Sequence, residues 1–429
     1  MKHESEKKQA FGVAVDFANN YPFTQFMNGG HIDYASALLK RGTNVNVFLL
    51  GFGRINRAVF LLSVATNQFL AADENGQPVP KKVRYFVFDR AAEEKKKILE
   101  DTYYRYENFA SAAKKEDYLP LPEPAAEERY FDCEIGTEEF YGIIGNLSRN
   151  ENDVGIAVVS LGDERENLRV ASEVRKKSNG RIHAIANIKS RQNEIFAFGN
   201  QEFDERIVSM AKTRNLIYES EKLARTGRQT EQDFAKARLR AEEKWEAMSL
   251  ADRGANIASI LGLKVKLQLL GLDLRDKNQD GAPLSRNEFE RVYAAANMPK
   301  FYRADKGNAS DTCARTNLAI QEHERWNAYL LSLGYVPASR LQILTETETR
   351  DGKTFCTNGK SVEEKRHGNL TTFEGLKEYA AMIAKRDGCK EEERDVIKYD
   401  FQLLDGAYRL LDEYGFKIVR LSTEFRMRF

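Results

Sequence analysis

An apolar run, Asn46-Val47-Phe48-Leu49-Leu50, breaks into Gly51-Phe52-Gly53-Arg54-Ile55-Asn56 and passes into a helical pattern through Arg57, Val59, Phe60 and Leu62. Two glycines at this spacing, between a strand and a helix, suit the seating of a dinucleotide diphosphate. Gly51 can take the tight turn, and Gly53 lacks the Cβ that would hold backbone away from phosphate oxygens. The helix start then offers amide donors and the positive end of its dipole. Asn56 stands where a third glycine or alanine would allow close helix-strand packing. A second strand, Val83 to Asp89, ends in a carboxylate placed to accept hydrogen bonds from ribose hydroxyls, and Arg90 beside it leaves NAD and NADP both open. The same residues also fit a plainer reading, in which the glycines only close a turn and Asp89 is a solvated strand end.

The elements around these residues alternate as in an open α/β sheet. The interval from bend to acid exceeds the usual span of about 20 residues. The segment Asn67 to Lys82, with Asp73-Glu74-Asn75-Gly76, Pro78 and Pro80, reads as an inserted turn or loop. Ala91 to Arg105 has a helical pattern, and Tyr118 to Ala126, with three prolines, is a loop. The stretch Asp153 to Gly162 contains a buried-strand pattern, Val154-Gly155-Ile156-Ala157-Val158-Val159, that ends at Gly162-Asp163. It leads to a helix over Asn167 to Lys177, a strand over Arg181 to Ile188 and a last one over Glu194 to Gly199. Such alternation predicts a parallel sheet with right-handed crossovers, and a ligand over the strands' carboxyl ends near Gly53, Asp89 and Gly162. Asp163 reads as a helix N-cap first and a ligand contact second. His183 falls within a strand and reads as packed, while Asp132 and Glu134 lie in a segment with no assigned element.

The 429 residues suggest two or three domains. With 66 Lys plus Arg against 65 Asp plus Glu, the net charge of +1 makes no electrostatic case for nucleic acid or membrane surfaces. The cysteines Cys133, Cys313, Cys356 and Cys389 match neither a zinc pattern nor a disulfide framework, and no stretch approaches the roughly 18 apolar residues of a membrane span. A reducing cytoplasm is the expected compartment. Glu219 to Ala247 is rich in Glu, Lys, Arg, Ala and Gln, as in a long solvated helix that serves as a connector or a dimerisation arm, and a homo-oligomer is expected. Ile257, Ile260, Leu261, Val265, Leu269 and Leu272 recur at helical spacing, and Lys277 to Pro283 is a turn-rich break. Asp273 and Asp280 fail the ligand spacing of a calcium loop.

The run Phe48 to Arg54, the acidic tip Asp89 and the later Val158-Val159-Ser160-Leu161-Gly162-Asp163-Glu164-Arg165-Glu166-Asn167-Leu168 resemble the TrkA-N or RCK nucleotide-binding domain, over roughly Asn44 to Glu219. The resemblance implies a Rossmann-like fold that binds NAD(H), ATP or a related nucleotide and regulates a partner instead of transferring hydride.

A second constellation lies near the carboxyl end. His323, Trp326 and Leu330 fall on one helix face that closes at Gly334-Tyr335, and Lys365-Arg366-His367 is a local positive cluster. Trp326 and Tyr335 can stack on a base, while Arg325, Lys365, His323 and His367 can pair with phosphate or carboxylate oxygens. The same residues also suit an ordinary packed helix and a solvated edge. For His323 with His367 no third metal ligand stands at suitable spacing, so no metal site is expected. The pattern His323-x-x-Trp326, Gly334-Tyr335, Lys365-x-His367 and Asp395-Val396-Ile397 resembles the prokaryotic RyR domain, the ryanodine receptor repeat, over about Asn317 to Arg420, with a longer loop from Val336 to Lys360. That resemblance implies a module that senses a nucleotide-derived or other small ligand.

The expected organisation is therefore a helical or irregular segment over 1–43, a Rossmann-like parallel-sheet domain over 44–219, a helical linker over 220–310 and a mainly helical RyR-like domain over 311–429. The expected function is a nucleotide sensor, with small-molecule nucleotides as partners. The rivals are an NAD(P)-dependent oxidoreductase or nucleotide-cleaving enzyme of a defence or signalling pathway, for which no general acid or base can be placed, and an assembly or channel-associated subunit.

Overall fold

The computed structural model describes residues 2–100, 105–188, 197–198, 205–224, 239, 242–293, 314–350 and 352–421. Its centre is a six-stranded sheet: β1 (Asn44–Leu50), β2 (Val83–Asp89), β3 (Ala126–Asp132), β4 (Asp153–Val159), β5 (Ile182–Asn187) and β6 (Ala197–Phe198). The spatial order is β3-β2-β1-β4-β5-β6, and every neighbouring pair is parallel. The expected α/β class and parallel sheet are therefore present. The chain moves outward from β1 to β3 and then returns to place β4 on the other side of β1, so the order reverses at β1.

Strand alternation explains how the sheet is covered. Val45, Val47 and Leu49 of β1 face one core, and Phe48 and Leu50 face the other; β2 divides Tyr85 and Val87 from Phe86 and Phe88 in the same way. The second core is closed by α4 (Glu138–Leu147) and α5 (Glu164–Lys177), through Phe140, Ile144, Val170 and Val174. On the opposite face lies α2 (Arg54–Thr66), which packs against α1 (Lys2–Asn20) and α8 (Ala314–Ser332). Two more helices complete that layer, α6 (Glu205–Ala224) and α7 (Leu250–Leu269). One continuous core thus runs from Phe17 and Phe23 through Val59 and Leu263 to Leu330 and Leu410.

Several segments differ from the sequence expectation. The segment expected as a loop within Asn67 to Lys82 contains an antiparallel hairpin, Phe69–Ala72 with Pro78–Lys81, which belongs to a separate four-stranded sheet. Strand β3 and helix α4 occupy the segment left without an element; β3 is an edge strand, and its Glu127, Arg129 and Asp132 hide the usual apolar alternation. Leu272 leaves the helical set after Gly271 and opens a strand, Leu272–Asp276, that pairs antiparallel with Phe416–Arg420. A single closing helix, which the apolar spacing from Asp395 to Leu411 predicts, is broken into Lys398–Asp405 (α9) and Ala407–Glu413 (α10) at Gly406. The long helix expected over Glu219 to Ala247 falls partly outside the described residues, as do Cys313 and most of the strand expected over Glu194 to Gly199.

The proline loop forms a seam with the C-terminal part of the chain. Thr371 Oγ1 donates to Pro120 O at 2.6 Å, Thr372 N donates to the same carbonyl at 3.1 Å, and Arg340 Nε donates to Tyr118 O at 2.9 Å. From the other side, Asn317 and Gln321 of α8 donate to the Ser36 and Ala37 carbonyls at 2.7 and 3.0 Å. No helix among the described residues is long and apolar enough to cross a membrane.

Candidate functional site

At the carboxyl end of β1, Leu50 stands level with Phe88 of β2 and Val159 of β4, and the chain turns at Gly51 with φ +80°. A Cβ on Gly51 would lie 2.6 Å from the Ser160 carbonyl oxygen and 2.9 Å from Leu161 Cδ2. Both the left-handed conformation and the close backbone approach therefore require glycine. We expect Gly51→Ala to destabilise the fold by about 2–4 kcal/mol, measured by urea unfolding; a loss within experimental error would show that the turn relaxes freely.

Gly53 is different. It is the N-cap residue of α2, its backbone is ordinary extended structure at φ −76° and ψ −172°, and a Cβ there would meet none of the described residues within 4 Å. The first-turn amides of α2, which have no acceptor inside the helix, open beside it. The crevice measures about 570 Å³ and is lined by Gly51, Gly53, Arg54, Ile55, Asp89, Arg90 and Gly162 of the expected residues, joined by Lys95, Cys133, Glu134, Ile135, Ser160, Leu161 and Glu166.

Three expected residues serve the crevice from outside it. Phe52 turns its ring into the core against Phe60 and Tyr130, so only its backbone belongs to the bend. Asn56, fully buried, donates to the carbonyls of Leu50, Gly51 and Val158 at 3.1, 2.7 and 3.1 Å; the third small residue is replaced by a side chain that staples α2 to the ends of β1 and β4. Asp163 caps α5 by accepting from Glu166 N at 2.9 Å and does not line the crevice.

Asp89 reaches back to the bend. Its Oδ2 accepts from Phe52 N at 2.8 Å and from Lys95 Nζ at 2.6 Å, while Oδ1 accepts from Ala91 N at 3.2 Å. One of the bend's amides is thus taken by the protein itself, and the carboxylate orders the loop as well as facing the crevice. Burial alone would push the Asp89 carboxyl up, but the Lys95 ammonium and the Phe52 and Ala91 amides outweigh it and hold the group below its ordinary value. Arg90 pairs with Glu134 at 2.5 Å on the rim. Burial, with Glu139, Asp132 and Asp89 nearby, pushes the Cys133 thiol up to about 11, so it is protonated at neutral pH. The far wall is set by Asn167, which accepts from Leu161 N at 2.7 Å and donates to Asn187 O at 2.8 Å.

The second constellation also converges on a cavity, of about 340 Å³, and His323, Trp326, Tyr335 and His367 line it. Arg325 and Lys365 do not. Arg325 is fully buried and grips Glu322 with Nε and Nη2 at 2.9 and 3.0 Å, and Lys365 Nζ donates to Leu333 O at 2.9 Å. Each is turned to its partner within the fold and contributes nothing to the cavity lining. Lys360, Asp252 and Asp400 enter in their place, together with Arg214 and Asn215 of α6. Trp326 stacks on His323 with ring centroids 5.9 Å apart and meets His367 edge-on at 5.0 Å. Among the described residues no group of three potential ligands is placed to hold a metal ion.

His323 is held at both nitrogens, Nε2 2.8 Å from Thr371 O and Nδ1 3.4 Å from Asp400 Oδ2. Burial alone would lower it, but Asp400 and the Thr371 carbonyl outweigh burial and raise it above 6.5. A raised folded-state pKa stabilises the fold below the unfolded value, and that contribution is lost as pH rises through the folded value. His367 and His183, pushed down by burial to about 3 and about 4, act on the acid side, where stability falls as pH drops below about 6.5. Burial pushes Glu324 up to about 7, adding a decline only up to that pH. The His323 contribution should therefore decline as pH rises through neutrality, against the buried Lys264 and Lys266, whose lowered values favour the fold toward higher pH; Asp400→Asn should make the slope above about pH 7 less negative, and an identical slope in the variant would show that Asp400 does not raise His323.

Compared with family models, with curated proteins and with solved structures, the chain finds no match.

Proposed function

We propose that this chain is a nucleotide-sensing regulatory protein: a Rossmann-like sheet that binds a dinucleotide such as NAD(H), fused to a helical C-terminal module that binds a second small ligand. The observation that carries this reading is the open Gly53 N-cap at the point where the strand order reverses, where doubly wound sheets bind ligands. The residues fit the group. Gly53 and the first turn of α2 would hold the diphosphate, Arg54 would add charge beside it, and Asp89 would accept from a ribose hydroxyl with the one Oδ1 lone pair that Phe52, Lys95 and Ala91 leave. When bound, the dinucleotide supplies the diphosphate charge and the ribose hydroxyls that are recognised. The protonated Cys133 thiol speaks against thiolate chemistry in this crevice.

Helix α2 begins at the first cavity and packs along α8, whose His323 and Trp326 line the second. That shared packing supports coupling between sites, provided that each ligand prefers one arrangement of the pair. The test is thermal denaturation with NAD(H), NADP(H), ATP and ADP-ribose. A ligand at about 100 times its Kd stabilises the fold by about 2.7 kcal/mol, a readily measured shift. No shift with any of these nucleotides, or turnover of NAD in product analysis, would overturn the sensor reading.

A further inference from the structure

The second cavity has a floor of unbalanced charge. Glu322 is gripped by Arg325, by Lys266 Nζ at 2.8 Å and by Arg214 Nη2 at 3.1 Å, with Ser259 Oγ adding a fourth donor residue at 2.8 Å. Lys266, Arg325 and Glu322 have side chains no more than 4% exposed. Three cations thus share one carboxylate in a setting where an uncompensated charge is costly. Arg214 is the member that lines the cavity, with its side chain 21% exposed. Of the other charged groups of the lining, Lys360 is matched with Asp252 at 3.6 Å, and even the Asp400 carboxylate, 3.4 Å from His323 Nδ1, leaves three cations to two carboxylates. The excess is positive, and Arg214 presents it.

Beside Arg214, Asn215 is 4% exposed and its Nδ2 has no hydrogen-bond partner among the described residues; Asn369, also of the lining, has a buried Oδ1 that is likewise unpartnered among them. Leaving both unpaired is costly, and a ligand edge carrying one acceptor and one donor would satisfy them. Trp326 supplies an aromatic wall. We infer that this cavity binds a nucleoside monophosphate, with its phosphate on Arg214, its base against Trp326 and the base edge between Asn215 and Asn369. This deepens the second-ligand reading above and rests on it. At about 340 Å³ against about 570 Å³, the cavity suits one ring and one anionic group better than a dinucleotide. Arg214 and Asn215 belong to α6, so the ligand would bridge α6 to α8 and tie the helices leaving the sheet to the C-terminal module.

The experiment is calorimetric titration of the full chain carrying Gly53→Val, which blocks the first crevice, with the common ribonucleoside 5′-monophosphates, their nucleosides and inorganic phosphate. At least one monophosphate should bind about tenfold or more tightly than its own nucleoside and than phosphate alone. Arg214→Gln, which lowers the buried charge, should bring the monophosphate down to the nucleoside level. Trp326→Ala should weaken both and keep their ratio. Binding of no monophosphate, equal binding of nucleoside and monophosphate, or a ratio that survives Arg214→Gln would each overturn the inference. The first-crevice reading is read separately, since Arg214→Gln should leave the NAD(H) thermal shift of the otherwise unaltered chain intact.

Discussion

Gly53→Val is expected to abolish the NAD(H)-induced thermal shift while leaving the unliganded protein folded. The backbone at Gly53 lies in the extended region that any residue adopts, and the space a Cβ would fill is open. The valine side chain therefore projects into the crevice instead of into neighbouring atoms. It would stand over the first-turn amides of α2 and hold a diphosphate beyond hydrogen-bond reach, where charge-assisted bonds weaken steeply. Loss of two such bonds corresponds to an affinity decrease of about 100-fold or more. Calorimetry and thermal denaturation measure the two halves of the prediction separately, and a wild-type shift in the variant would show that the diphosphate seat lies elsewhere. Gly51→Ala supplies the contrast, because its penalty falls on stability through a backbone clash.

Glu322→Gln should cost the most stability of any single conservative change, about 3–5 kcal/mol, a large part of the roughly 5–15 kcal/mol of a typical domain. Burial alone would push the Glu322 carboxyl up, but Arg325, Lys266 and Arg214 together hold it well below its ordinary value. Glutamine keeps the shape and one acceptor while removing the negative charge, so Arg325, Lys266 and Arg214 would repel one another in a water-poor interior. Urea unfolding reads the loss, and adding Lys266→Met should recover part of it by removing one of the cations. A loss below about 1 kcal/mol would mean that solvent reaches the cluster and screens it.

Legibility differed between the two cavities. The first was readable because its parts lie close in sequence: Gly51, Gly53 and the start of α2 are consecutive, and Asp89 ends a strand whose apolar alternation is plain. Lys95 belongs to a charged helical stretch in which nothing distinguishes it from Lys96 or Lys97 until β2 and that helix set it 2.6 Å from Asp89. In the second cavity, the face of α8 bearing His323 and Trp326 was visible from helical spacing. Arg325, on the same helix, looked equally available to a phosphate. A helix presents successive residues about 100° apart, and that rotation turns Arg325 to the buried side, where it grips Glu322 from beneath the floor and stays out of the lining.

From its residues alone this chain determined the α/β class, the parallel sheet and the bend after β1, because strand alternation and the stereochemical need for glycine are local properties written in adjacent positions. Only the tertiary structure decided which charges are buried, that the edge strand β3 exists, and that Arg214 and Asn215 meet α8 across more than a hundred residues of chain. The physical reason is that a charged side chain has the same local signature whether water or a distant partner solvates it. Long-range packing alone selects between them.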